Sequence, residues 1–519
     1  MRNLKKAEPY LIKCYQINVQ TQGEFHSNTS TTLNNLGVLY STKANYSQAE
    51  PVYLKCLEIT RNLVGDEHAD VAKSLANLAR LYGDMGKYDQ AEEAYLESIK
   101  IYRKTLGENN LHTARALSSL GWLYYYMADY SKAETLLLDS VRIFQSLFGE
   151  NNPDTARAIN MLGSFYQTRG EHSKAESYYL QSLAIFQKTL GEKHPHVATS
   201  MYNVAMFYNG IGEFSKAESN FLQSLEIYRQ VYGDFHPDTA NVLNSFGLLY
   251  SNVGEYAKAE QYYLQSLKVR RKLFGNENTI VANDLYSLGN FYQSTGQYSK
   301  AEPLLLKCLE IYLEAFGEQH PQSAGSFNSL GTLYLQLNEF SKAETHLLKS
   351  LSINRKLHGN EHVAVAHALG SLGGLNQQKE DLAKAESYYQ QSLEIYLKVF
   401  GEGHSSTIGS FSDLSMIYAL KGEFEISVRL QDKARQNIRR HMVRVLPGLS
   451  EAIQQAFLRE RYRTGFESAL TLGRIRKTDS KTASLSAAWL LNGKSAAQEA
   501  HAESAVMSTG QSAPLAQEL

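Results

Sequence analysis

Six histidines (His68, His194, His236, His320, His362 and His404) recur at equivalent places along this 519-residue chain. Imidazole is the commonest side-chain metal ligand, so a metal site is the first chemistry to weigh. A zinc ion needs its ligands to converge to about 2 Å. These histidines lie 42 or more residues apart, one per repeat, so neighbours stand about a repeat width from each other. Asn110, Asn152 and Asn278 fill the same slot. Asn and neutral His share the ability to accept a backbone N–H at the start of a helix. Helix capping is therefore the better reading, and neither a metal nor a cofactor is expected.

Two other features suggest chemistry. Gly493-Lys494-Ser495 has the end of a phosphate-binding loop. Such a loop needs flexible backbone amides before its Gly-Lys, whereas Trp489-Leu490-Leu491 reads as buried helix, so nucleotide binding is set aside. Residues 427–481 carry 13 Lys/Arg against 5 Asp/Glu. That excess suits nucleic acid or an acidic partner, but a solvated helix face is the more ordinary reading, and nucleic acid is not expected.

The elements that would position these residues follow a strict repeat. Ala-Glu occurs at Ala7, Ala49, Ala91, Ala133, Ala175, Ala217, Ala259, Ala301, Ala343 and Ala385, always 42 residues apart. A glycine stands 16 residues after each of them, from Gly23 to Gly401. A tyrosine stands nine residues before most, from Tyr40 to Tyr334, with Asn376 as the exception. This one slot, filled many times, goes some way to explain 34 tyrosines beside 2 tryptophans.

Each copy resolves into two helices. Asn-Pro or His-Pro, as at Asn152-Pro153 and His236-Pro237, places proline at the first helical position. Val242, Phe246, Leu249, Tyr250 and Val253 then recur at helical spacing up to Gly254, expected as a left-handed cap. Ser-Lys-Ala-Glu, as at 131–134, 215–218, 299–302 and 341–344, predicts a capping box opening the second helix. Pro9, Pro51 and Pro303 are then expected in its first turn. The small Ala of Ala-Glu and the Gly of Leu-Gly are expected where paired helices approach closely. One such unit cannot bury its face alone, so neighbours must stack. Ten units begin near residues 29, 71, 113, 155, 197, 239, 281, 323, 365 and 407, after a lone second helix. Gly373-Gly374 and Asn376 replace aromatic positions in the ninth unit, where a soft spot or bend is expected.

The Leu-Gly-x2-Tyr, then Ala, then aromatic pattern resembles the tetratricopeptide repeat. Leu33–Gly37 and Leu190–Pro195 look like its 42-residue kinesin light chain subtype. The resemblance implies an all-α fold, an α-solenoid forming a right-handed superhelix of antiparallel helix pairs. Its first helices would line a concave groove. The heptad coil by which kinesin light chains bind the heavy chain has no counterpart here.

The expected organisation is a half repeat over 1–28, ten units over 29–445, a helical segment over 446–503 and a disordered tail over 504–519. Arg439–Ser450 and Ala488–Lys494 are similar to the connector that follows repeat arrays in bacterial proteins carrying a caspase-like CHAT domain. That resemblance implies a regulatory arm whose enzyme is elsewhere. Cys14, Cys56 and Cys308 share one inner position of second helices, so none is a candidate nucleophile, and three cysteines make no disulfide framework.

A net charge of −1, no signal peptide and no apolar run of membrane-spanning length point to a cytoplasmic protein. No enzyme activity is expected. The reading is a scaffold that binds extended protein or peptide segments, with possible self-association through the N-terminal half repeat. The tetratricopeptide pattern turns certain first-helix positions into the groove: Asn160, Tyr202, Asn244, Tyr286 and Asn328 in one slot, and Gln167, Asn209 and Gln293 seven residues on. Arg80, Trp122 and Asn290 lie between them. Arg115 and Arg157, with Lys73, share a further inward slot and suggest a basic end suited to a carboxylate. Asn and Gln can both donate to and accept from a peptide backbone.

Overall fold

A computed structural model describes residues 2–42 and 45–445. The segments expected at 446–503 and 504–519 lie outside the described residues. Among the described residues there are 21 helices and no strand. The lone helix α1 (Arg2–Gln22) is followed by ten pairs. The first five are α2 (Ser27–Thr42) with α3 (Tyr46–Val64), α4 (Ala69–Asp84) with α5 (Tyr88–Leu106), α6 (Leu111–Tyr126) with α7 (Tyr130–Phe148), α8 (Pro153–Thr168) with α9 (His172–Leu190), and α10 (Pro195–Gly210) with α11 (Phe214–Tyr232). The remaining five are α12 (Pro237–Asn252) with α13 (Tyr256–Phe274), α14 (Thr279–Ser294) with α15 (Tyr298–Phe316), α16 (Pro321–Gln336) with α17 (Phe340–His358), α18 (Val363–Gln378) with α19 (Leu382–Phe400), and α20 (Ser405–Leu420) with α21 (Phe424–Val445). Among the described residues two compact units arise, one from residues 2–205 with 218–360 and the other from 206–217 with 361–445.

First helices start as the sequence suggests. Asn152 accepts from the Asp154 amide at 2.8 Å, and the His68, His236 and His404 Nδ1 atoms accept from Asp70, Asp238 and Ser406 at 3.2, 3.3 and 3.2 Å. Several capping rings also stack on the aromatic that ends the previous helix, as with Tyr232–His236 at 4.0 Å and Phe400–His404 at 3.9 Å.

The expected capping box is corrected. The second helix of the third unit begins at Tyr130, its N-cap is Asp129, and Ser131 already lies inside it. Asp129 Oδ1 accepts from the Lys132 amide at 3.3 Å, whereas the equivalent caps Glu255, Gln297 and Glu339 make no side-chain cap bond. The turn itself secures the helix start: the Asp129 amide returns to the Tyr124 carbonyl at 2.9 Å. Because the helices begin earlier than the box implied, Pro51 and Pro303 fall in the second turn rather than the first, and Pro9 is likewise inside α1. Each removes one ladder hydrogen bond.

The Glu of Ala-Glu is thereby released for another task. Tyr166 donates to Glu134 at 2.7 Å, Tyr250 to Glu218 at 2.6 Å and Tyr292 to Glu260 at 2.6 Å, each from the first helix of one unit to the second helix of the unit before. The Lys from the ring's own unit covers the same ring, as with Lys258 over Tyr250 at 5.0 Å. The Glu of Ser-Lys-Ala-Glu is thus a staple between units rather than part of a cap.

The two glycine slots differ in physics. Gly254 ends α12 at φ +81 in a turn where Ala128, Asn338 and Glu380 stand in other units at φ near +60. Gly275 pairs φ +84 with ψ 180, a region open essentially to glycine alone. The strict period of that second glycine follows. Close approach is also confirmed: the Ala-Glu alanines from Ala49 to Ala385 are fully buried, and a Cβ at Gly247 would lie 2.7 Å from the Tyr263 ring.

Ser98, Ser140, Ser182 and Ser266 each donate from a second helix to a first-helix carbonyl 26 residues earlier, at 2.7–2.9 Å. Cys56 and Cys308 occupy this same column and are buried, whereas Cys14 on α1 is exposed. Burial pushes the Cys308 thiol up to about 11. In the ninth unit α18 is an unbroken helix, and Asn376 satisfies itself by donating to the Leu372 carbonyl at 2.8 Å.

Candidate functional site

The groove candidates all lie on first helices. In the basic region Arg80, Arg115 and Arg157 are exposed, on α4, α6 and α8. Arg157 Nη1 meets Asp154 at 2.6 Å, and Arg115 approaches the same carboxylate at 3.7 Å. One aspartate therefore answers two arginines, and the patch keeps an excess of positive charge. Arg157 also lies 3.4 Å from His196 Nε2. Burial, helped by Arg157 and His194, holds the His196 imidazole below its usual range. Trp122 is half-buried and meets Tyr125 edge-on at 4.6 Å, with Tyr126 exposed beside them at 6.0 Å from Trp122.

The amide and phenol candidates form cross-links between successive units. Asn203 donates to Asn160 at 3.2 Å, Tyr202 pairs with Ser245 at 3.1 Å, and Ser329 donates to Tyr286 at 3.1 Å. Asn77 donates to Asn34 at 2.8 Å in the same way. Gln167 accepts from the Tyr179 hydroxyl at 2.8 Å. Asn290 is half-buried. Asn209 and Gln293 differ from expectation in being buried, Gln293 donating to Thr332 at 3.1 Å. Asn328 Oδ1 is buried and accepts no hydrogen bond among the described residues.

Sequence reasoning missed the charged pair at the Asn244 slot. Asn244 donates to Asp284 Oδ1 at 2.9 Å, Ser266 Oγ lies 2.7 Å from Oδ2, and Arg270 Nη1 lies 2.7 Å from Oδ1. The Arg270 and Asp284 side chains are 8% and 1% exposed. A signal was present: Arg270 stands where Tyr228 and Tyr312 stand in neighbouring units, and Asp284 where Ser200 and Ser326 stand.

A tetratricopeptide repeat model matches in overlapping windows that run from residue 1 to 272 and from 281 to 440. The chain belongs to the tetratricopeptide repeat family. Solved tetratricopeptide-like structures resemble it over parts of its length. BtubC (BKLC) from P. vanneervenii is 22% identical over 46% of this chain and 93% of its own, with a TM-score of 0.37. A kinesin light chain of Podosopora anserina with nearly identical TPR-like repeats is 24% identical over 40% of this chain and 98% of its own, with a TM-score of 0.34. A Rap protein complexed with Competence and Sporulation Factor is 14% identical over 72% of this chain and 99% of its own, with a TM-score of 0.49. No curated protein matches the chain. Among the described residues no helix is long and apolar enough to cross a membrane.

Proposed function

We propose that this protein is an interaction scaffold that holds an extended peptide segment of a protein partner along its first helices. The observation that carries this reading is the in-phase row Asn160, Tyr202, Asn244, Tyr286 and Asn328 in units four to eight, polar side chains aligned along successive first helices. Asn160, Tyr202, Asn244, Tyr286, Asn290 and Asn328 are the contact residues, with Gln167 and Trp122 beside them. Asn209 and Gln293 lie below the surface, where Gln293 holds α14 to α16 through Thr332. Arg80, Arg115 and Arg157 form the end that takes an acidic stretch or a C-terminal carboxylate, since Asp154 offsets only part of their charge.

The test is binding of an acidic peptide before and after Arg115→Glu plus Arg157→Glu. Each lost charge-assisted contact is worth about 1.5–3 kcal/mol, so affinity should fall at least tenfold. Unchanged affinity would remove the basic end from the account.

A second reading makes the array the regulatory arm of a CHAT-type effector. It rests on the residues of 439–450 and 488–494 alone. A caspase-like domain encoded directly downstream would favour it.

A further inference from the structure

The compact unit formed by residues 2–205 and 218–360 folds back on itself. Tyr46, which opens α3, stacks on Phe316, which closes α15, with ring centroids 5.4 Å apart. Tyr88, which opens α5, stacks on His358, which closes α17, at 5.3 Å. Both pairs are 270 residues apart, so the contact recurs in phase with the repeat, six units on. Between them His320 joins two helix ends. Its Nδ1 accepts from the Gln322 amide at 3.3 Å and so caps α16, while Nε2 lies 3.0 Å from the carbonyl oxygen of Asp84, the last residue of α4. That carbonyl is one of the four that a helix C-terminus leaves without an internal partner. The ring is 6% exposed and lies on Phe316 at 4.1 Å. Pro321 packs against Gly86, where an added Cβ would be 3.2 Å from its Cδ.

We propose that this contact is a clasp keyed by neutral His320, which closes six units into one turn and releases them when the imidazole takes up a proton. The ring now uses both nitrogens, one as acceptor and one as donor. A second proton puts an N–H at Nδ1 against the Gln322 N–H and places a charge in a buried site at the positive end of α16. Burial already holds the imidazole below its usual range, with the Asp84 carbonyl pulling the other way. The open form exposes the ring and returns it toward about 6.5. Protons therefore favour opening below that pH.

The surrounding groups do not supply a compensating charge. From α4, burial raises the Asp84 carboxyl while Arg80 draws it back, and it is the Asp84 carbonyl rather than this carboxyl that meets the ring. From α3 and α5, the Tyr46 and Tyr88 phenols are raised by burial and stay neutral, and Lys87 is paired with Glu50 at 2.9 Å. From the α15–α16 turn, Glu318 is paired with Lys349 at 2.8 Å. From α17, His358 lies on Tyr88, and Lys356 is exposed.

The experiment places a fluorescence donor and acceptor on Gln90→Cys and Lys356→Cys in the full chain. The three native cysteines are changed to the Ser that fills their column elsewhere. Energy transfer should fall from pH 7.5 to 5.5 while helical circular dichroism holds, the open-to-closed ratio changing by up to tenfold per pH unit below about 6.5. His320→Asn keeps the cap, as Asn110, Asn152 and Asn278 show, but removes the titrating ring and its bond to Asp84. It should give lower transfer at pH 7.5 and no transition. His236→Asn, a cap outside the clasp, should behave as the parent. Flat transfer across this range in the parent, or an unchanged transition in His320→Asn, would overturn the clasp.

Discussion

Asp284→Ser is the sharpest test of how the array is held in register. The substitution strands the Arg270 guanidinium, whose side chain is 8% exposed, and removes its 2.7 Å contact. Arg270 keeps only the Asn241 oxygen at 2.6 Å and the Ile280 carbonyl at 3.1 Å. Asn244 loses an acceptor. Breaking one side of a buried pair costs about 3–5 kcal/mol. The double change Arg270→Tyr with Asp284→Ser recreates the Tyr312 and Ser326 types of the next unit boundary. It should return to parental stability or exceed it by about 1–4 kcal/mol, because a buried ion pair seldom outweighs well-packed replacements. The two singles and the double form a cycle whose coupling is read directly. Hydrogen exchange on α13 and α14 reports the local opening, and urea unfolding reports the whole array. A single-mutant loss below about 1 kcal/mol with no recovery in the double would refute the reasoning.

Gly275→Asn should cost about 1–3 kcal/mol, since its φ and ψ are closed to other residues, whereas Gly254→Asn should stay within about 1 kcal/mol, because Asn338 already holds that turn at φ +60. Thermal unfolding of the two variants separates them, and equal losses would contradict the distinction. Cys14 should react with a thiol reagent at pH 7.5 while Cys56 and Cys308 stay protected in the folded chain, as mass spectrometry would show, and rapid modification of Cys308 would contradict its burial.

The helix pairs and the role of the histidine caps were legible because each is a local property repeated in phase. Tyr, Ala and Gly at fixed spacing dictate packing wherever they occur. The capping box was misread for a physical reason: Ser-x-x-Glu has the right local form, but the Glu carboxylate is taken by a tyrosine hydroxyl 32 residues later, as Tyr166 takes Glu134. A contact between units has no local signature. The same holds for His320, whose partner carbonyl is 236 residues away. Arg270 and Asp284 are the middle case, visible only when each column is compared across units. The groove slots fall on first helices, yet the sequence did not show that Asn160 and Tyr202 also bind neighbouring units, or that Asp154 answers two arginines.

The central claim is that first helices hold an extended peptide. Hydrogen exchange on the full chain, with and without a saturating acidic peptide selected from a library, tests it most directly. Protection should concentrate on α8, α10, α12, α14 and α16, around Asn160, Tyr202, Asn244, Tyr286 and Asn328. Protection confined to second helices such as α9 and α13, or to residues 446–519, would contradict it.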